Sequence, residues 1–275
     1  MTGRAYPEPM ATSENGSGNG SETPGGTPAK AAGTQRSMQL LWHTQDRPAR
    51  GPKPALTLER IVTAAVTLAD TEGLDALSMR RLATDLGTGT MSLYRYVPGK
   101  PELLDLMVDR VQGEANDASP AAPDDDWRAA VGILAHAYLH QLRTHPWLLQ
   151  LNQARTALGP NAVRGLELAL RPLRTMGLSD PETMAVLITV NSYVEGLARM
   201  HVNEAEAARA SGLTEEEFWG AQLPYLTAAM NSGAYPLMAS LSEDTFGPGF
   251  DHFAFGLERL VAGFEALVDA RHAGK

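Results

Sequence analysis

The chain has 275 residues, no cysteine and a formal net charge of −9. It is long enough for two domains around a sizeable core. Without cysteine it has neither disulfides nor thiolate metal sites, which suits a reducing cytoplasm, and it shows neither the roughly 18-residue apolar run of a membrane span nor a signal peptide. Charge is uneven: residues 1–54 hold six Lys/Arg against four Asp/Glu, residues 55–112 six against eight, and residues 113–275 eleven against twenty. Binding to a polyanion must therefore rest on a local field and a few well-placed contacts, not on the total.

Residues 1 to about 37 are rich in Gly, Ser, Thr, Pro, Asn and Glu, with almost no apolar content. Such a segment cannot bury enough surface to offset its ordering entropy, and disorder is expected. Leu40-Leu41-Trp42 is an apolar island in this tail, either exposed or docked on the folded body. Arg47-Pro-Ala-Arg50-Gly-Pro-Lys53-Pro follows and stays extended. Its cations, Arg50 and Lys53 among them, suit a phosphate backbone or an A·T-rich minor groove. A solvated linker has the same composition.

Thr57 is placed to cap a first helix running to about Glu72, with Ile61, Ala64, Ala65, Leu68 and Ala69 as its inner stripe. Glu59 suits the positive end of that helix, and Gly73 ends it. From Leu77 to Val97 the pattern reads as two short helices with a tight turn. Ser78 caps the first, Leu82, Ala83 and Leu86 form its apolar face, and Gly87 takes the left-handed position after it. Thr88 or Thr90 caps the second, which turns Leu93 and Val97 inward. Thr90, Ser92, Tyr94, Arg95 and Tyr96 remain outward, and no carboxylate falls between Gly87 and Lys100. Hydroxyls, phenols and guanidinium groups bond phosphate oxygens and base edges, and a helix–turn–helix of this kind fits the major groove. An ordinary helical hairpin with a polar face is the alternative at this level.

The ordered set Leu58-Glu-Arg-Ile-Val62, Ala64-Ala65, Glu72-Gly73, Leu82-Ala83, Leu86-Gly87, Leu93-Tyr94, Tyr96-Val97, Gly99-Lys100 and Glu102-Leu-Leu-Asp105 resembles the N-terminal domain of the tetracycline-repressor (TetR-type) transcription regulators. Trp127, His145-Pro-Trp147, Gly159-Pro160, Tyr193 with Gly196, Tyr235-Pro236 and Phe255-Gly-Leu-Glu258 are more loosely similar to the C-terminal domain of the tetracycline-repressor-like branch. The resemblance implies an all-α fold. A three-helix DNA-binding domain (55–112, after a tail over 1–54) is joined to a larger helical ligand-binding and dimerisation domain (120–275). It also implies phosphate contacts by Thr57, Tyr94, Tyr96 and Lys100, and base reading by Arg80, Thr90, Met91, Ser92 and Arg95. The helix starting at Lys100 and ending near Gly113 would link the two domains.

Beyond it, Ala115 to Asp126 reads as a loop. Helices are expected near 125–143, 146–157, 160–176, 180–210, 214–232 and 249–271, with Pro146, Pro160 and Pro181 in first turns. Ser232 to Gly249 is rich in Gly and Pro and is expected to be irregular. There is no internal repeat, Gly-rich phosphate loop, nucleophile elbow or paired-carboxylate motif. His136 and His140 are i, i+4, but Ala137 stands where a zinc protease carries its glutamate, so two core or groove histidines are expected rather than a metal pair. Asn191 and Glu195 lie i, i+4 in the apolar stretch Met184–Met200, either as a satisfied structural pair or as polar anchors in a pocket.

The expected function is a ligand-responsive repressor, with an activator, or a helical carrier or enzyme with a vestigial DNA domain, as alternatives. Partners are operator DNA, a small effector and a second copy; no enzyme activity, cofactor or metal is expected. An effector pocket is expected from the Met and aromatic residues Trp147, Leu151, Met176, Leu187, Tyr225 and Met230, with His140, Asn191, Glu195 and Trp219 as polar handles. Tetracycline-binding relatives hold a metal-chelated drug through His, Thr and Glu, and their metal-linked glutamate position is Met200 here, counted from Gly196. An apolar or aromatic organic effector, a cation included, bound without metal is therefore expected. Phe253, Leu257, Leu260, Val261, Phe264 and Val268 form a stripe on the last helix. With Gly196 on the helix near 180–210, it is expected to pair across a two-fold axis, as the family's four-helix interface does.

Overall fold

The computed structural model describes residues 28–43, 56–151, 157–242, 245 and 249–273, and every regular element among them is helical. Arg50 and Lys53 lie outside the described residues. No described helix is long and apolar enough to cross a membrane.

The helix–turn–helix is built as its residue pattern dictates. Helix α2 (Leu58–Glu72) begins where Thr57 Oγ1 accepts a hydrogen bond from Arg60 N at 3.1 Å. Helix α3 (Met79–Asp85) begins where Ser78 Oγ accepts from Arg81 N at 3.1 Å. Gly87 follows with φ of 64°, a conformation in which a Cβ is strained, and the chain turns there into α4 (Thr90–Tyr94). Neither threonine caps α4. The cap position is Gly89, with no side-chain bond, because Thr90 is already the first helical residue. Leu82, Leu93 and Val97 close against Ile61 and Ala65, all buried.

Helix α5 (Lys100–Ala118) runs five residues beyond its expected end. Gly113 does not stop it. The glycine is buried in the helix, and a Cβ there would lie 2.8 Å from the Asn161 side chain, so it serves close packing instead. Asp126 Oδ1 accepts from Arg128 N and Ala129 N, both at 3.0 Å, and starts α6 (Trp127–Thr144). The helix expected over 146–157 is instead a 3₁₀ turn, Pro146–Gln150, with 152–156 outside the described residues. Then come α7 (Pro160–Leu173), a 3₁₀ turn (Arg174–Met176), α8 (Asp180–Ser211, opened by a Ser179–Glu182 capping box) and α9 (Glu215–Asn231). A short helix α10 (Pro236–Ala239) interrupts the stretch expected to be irregular, and α11 (His252–Ala273) ends the fold. One contiguous apolar cluster runs from the helix–turn–helix through α5 to α6, α7, α8 and α11.

The tail departs from expectation. Residues Pro28–His43 form a helix, α1, packed along α5. Leu41 is 5% exposed, Ser37 is buried, and Trp42 Nε1 donates to Leu158 O at 3.1 Å. Arg36 Nε donates to the buried carboxylate of Glu102 at 3.1 Å. The average composition of the tail concealed these anchors: the apolar island docks and orders the helix before it. Replacing Leu41 with alanine should destabilise the protein by about 2–3 kcal/mol. The expected reading is a lower urea midpoint at unchanged slope; an unchanged midpoint would show that α1 adds nothing to the core.

Candidate nucleic-acid interface and effector cleft

The three-helix head presents α4 outward. Only Leu93 of its five residues is buried, while Met91 is 76% and Tyr94 43% exposed. Thr90 and Ser92 are half-buried, and Arg80 on α3 and Arg95 just after α4 are exposed. Arg81 is different. Its guanidinium makes a two-pronged bond to Glu72 at 2.7 and 2.8 Å and a bond to Asp85 at 3.0 Å, fastening α3 to the end of α2. The adjacent Arg80 carries no such clamp.

Three sequence-derived contacts are corrected or qualified. Tyr96 donates its hydroxyl to Leu56 O at 2.9 Å, so it ties the head together rather than standing free for phosphate. Lys100 Nζ donates to Leu74 O at 3.2 Å, yet an ammonium has three donors and keeps the others. Thr57 Oγ1 is engaged in its cap.

A second joint ties the head to the body. Asp70 on α2 receives His145 Nδ1 at 2.8 Å and Trp147 Nε1 at 2.7 Å. Both donors belong to buried side chains, and the carboxylate that receives them is more exposed. The sequence motif His145-Pro-Trp147 thus has a local reason. Proline starts a 3₁₀ turn, and that turn brings the two rings to one carboxylate.

The body holds a branched cleft among α5, α6, α7 and α8. One lobe, about 280 Å³, is lined by Gln112, Asn116, Tyr138, Gln141, Asn161 and Asn191 among apolar neighbours that include Leu187. A second lobe, about 530 Å³, shares Ala115, Ser119 and Ala137 with it and carries His136 and His140. His136 Nδ1 lies 2.8 Å from Gly132 O, and its ring meets Phe253 edge-on at 5.0 Å. Among the described residues no cluster of three metal-ligating side chains forms.

Of the sequence-derived pocket residues, Leu187 and Asn191 line the first lobe and His140 the second. Trp147 and Met176 are fully buried, Trp147 also bordering a separate cleft of about 480 Å³ with Asp70, His201 and Arg209, and Leu151 packs half-buried against the same apolar cluster. Glu195 is paired with Arg199 at 2.6 Å, and Arg199 also donates to Leu149 O, so this carboxylate is structural. Trp219, Tyr225 and Met230 do not join the cleft. They lie on α9, which buries nothing in the single chain, and Tyr225 is 79% exposed. The excess of Met and aromatic residues misled because it does not distinguish core from pocket. The amides Gln112 and Asn116, i, i+4 on α5, and Gln141 on α6 were missed. Their signal was present as polar side chains on otherwise apolar helix faces.

The stripe on α11 also divides. Leu257 and Val268 are buried in the subunit's own core, with Phe253, Val261 and Phe264 packed against it and Leu260 half-buried. Periodicity reports an apolar face but not whose surface covers it. The outward side carries Phe255 and Leu267 on α11 and Met184 and Ile188 on α8, with Ile188 60% exposed. Gly196 is exposed, with nothing within 4 Å of the place a Cβ would take.

Comparison with known proteins agrees with this architecture. Residues 61–107 match the model of bacterial regulatory proteins of the tetR family, and residues 119–268 that of the tetracyclin repressor-like C-terminal domain. The chain is 54% identical over 261 residues to the HTH-type transcriptional repressor DrrR1 of Streptomyces coeruleorubidus, covering 94% of this chain and 96% of that one. It is 31% identical over 242 residues to the HTH-type transcriptional repressor Rv1353c of Mycobacterium tuberculosis, covering 84% and 88%. Among solved structures, apo ActR from Streptomyces coelicolor is 31% identical with a TM-score of 0.58, covering 80% of this chain and all of that one. ActR in complex with (S)-DNPA is 30% identical with a TM-score of 0.60, covering 78% and 98%.

The Asp70 joint can be tested directly. Asp70→Ala leaves two buried donors without an acceptor and should cost about 1–3 kcal/mol. The tryptophan emission of Trp147 should shift with it. Unchanged stability would show that the joint holds nothing.

Proposed function

The chain belongs to the tetracycline-repressor family of transcription regulators, and on that premise we propose that it binds a two-fold operator as a homodimer and is released when a small organic effector fills the cleft. One observation carries this reading: a single helix, α5, reaches both sites. Its first residue, Lys100, is bonded to the head at Leu74 O, and Gln112 and Asn116 line the cleft. The twelve residue steps from Lys100 to Gln112 span about 18 Å of rigid helix. An effector that favours one tilt of α5 therefore changes the spacing of two recognition helices in a dimer. By linkage it binds the DNA-free form more tightly, typically by ~1–3 kcal/mol.

The outward apolar faces of α8 and α11 support the second copy, because Met184, Ile188, Phe255 and Leu267 would otherwise stay in water. The same holds for the exposed α9 side chains Trp219 and Tyr225. ActR, solved with (S)-DNPA, supports an organic effector here. The unclamped face of Arg80, Thr90, Met91, Ser92, Tyr94 and Arg95 would meet DNA, with Lys100 and the cap at Thr57 near the phosphates. The basic arm with Arg50 and Lys53 would follow the adjacent groove.

Gel-shift titration with the DNA upstream of its own gene tests the interface. Tyr94→Ala should weaken binding to that DNA and to unrelated DNA alike. Arg80→Ala should relax sequence preference by ~1–3 kcal/mol at one base pair. Tyr96→Phe should leave affinity nearly unchanged and lower stability by about 1 kcal/mol. Intact affinity in both Tyr94→Ala and Arg80→Ala would defeat the assignment. Light scattering of Ile188→Lys tests the dimer: a monomer without operator binding is expected, and a wild type that is already monomeric at micromolar concentration would refute it.

A further inference from the structure

We infer that the cleft selects an uncharged ligand that donates a hydrogen bond to Gln112, an inference that rests on the effector-site reading above. The first lobe contains seven polar side chains, five of them carboxamides, one a phenol and one the Ser119 hydroxyl, and no Lys, Arg, Asp or Glu. Two of their amide donors are already committed inside the protein. Asn116 Nδ2 donates to Asn161 O at 2.9 Å, and Asn161 Nδ2 donates to Asp109 Oδ2 at 3.1 Å. Gln112 Oε1 is buried and has no hydrogen-bond partner among the described residues. An orphaned buried acceptor costs free energy until something supplies a donor.

The missing partner is a hydroxyl or N–H group on the ligand. An ion would enter this lobe without an opposite charge to meet it, which an apolar, amide-lined site penalises heavily. The second lobe adds only the two histidines His136 and His140 as titratable groups. Charged side chains line only a further lobe, where Asp124, Arg164 and Arg171 are found. The ligand class is therefore a neutral, largely apolar ring system bearing a hydroxyl or N–H donor. This narrows the sequence expectation, which admitted a cation. A site built to bond a donor also rejects the analogue that lacks it.

Four probes of one ring size separate the possibilities: 1-naphthol, 1-methoxynaphthalene, 1-naphthoate and 1-naphthylmethylammonium. Ligand-observed NMR titration against the full chain should show 1-naphthol binding at least tenfold more tightly than the methoxy analogue, and both ions binding more weakly than 1-naphthol. In Gln112→Leu, which keeps the volume and removes the acceptor, that preference should vanish. Tightest binding by either ion, or a preference that survives Gln112→Leu, overturns the inference while leaving the cleft as the site. Ala137 borders all three lobes. Ala137→Trp, with its fold checked by circular dichroism, should abolish binding of every probe. If it abolishes none, or if no probe binds the wild type, the cleft reading itself fails and the inference falls with it.

Discussion

The carboxylate of Asp109, in the middle of α5, holds the first turn of α7. It accepts from Asn161 N at 3.0 Å, Ala162 N at 3.1 Å and Asn161 Nδ2 at 3.1 Å. These are backbone donors that a helix start leaves without intrahelical partners, and the positive end of α7 favours the charge. Burial pushes the Asp109 carboxyl above its ordinary value, opposed by the three hydrogen bonds. Gly159 makes the approach feasible, because a Cβ there would collide with Asp109 and with Leu41. The junction thus fixes three elements at once: α5, the wall of the cleft formed by α7, and the seat of α1.

From this junction the two ends of α5 diverge in character. Toward the head it is fastened by Lys100 and by Glu102, whose buried carboxylate meets Arg36. Toward the cleft it offers Gln112, whose buried Oε1 has no partner among the described residues. A repressor needs this asymmetry. In the proposed release mechanism the end that reports is rigid, and the end that would sense keeps hydrogen-bonding capacity in reserve. The acidic excess of the body, eleven cations against twenty carboxylates over residues 113–275, leaves the head as the surface from which a phosphate backbone is least repelled.

The head was legible in the sequence because its signals are local. Thr57, Ser78 and Gly87 each act within a turn of themselves, and Leu93 and Val97 share one helix face, so capping and periodicity place them. The cleft was not legible, because Gln112, Asn116, Gln141 and Asn161 come together only through the crossing of three helices. Met176 and Trp147 have pocket-like composition and core-like surroundings. Tyr96 looked outward by its position among polar neighbours, but its partner, Leu56 O, is forty residues away in the chain. Helix lengths failed where a glycine had two uses: Gly87 turns the chain, and Gly113 admits a neighbour.

The same distinction between near and far contacts bears on how the chain assembles as it is made. The head can close from residues within 58–97, which are neighbours in sequence. Helix α1 precedes them, yet Trp42 binds Leu158, 116 positions later. Contacts of long sequence separation must wait for the intervening chain, and their closure is slow. The first described helix to leave the ribosome is therefore among the last to reach its place. Until then its apolar anchors Leu41 and Trp42 travel uncovered beside a recognition domain that has already folded.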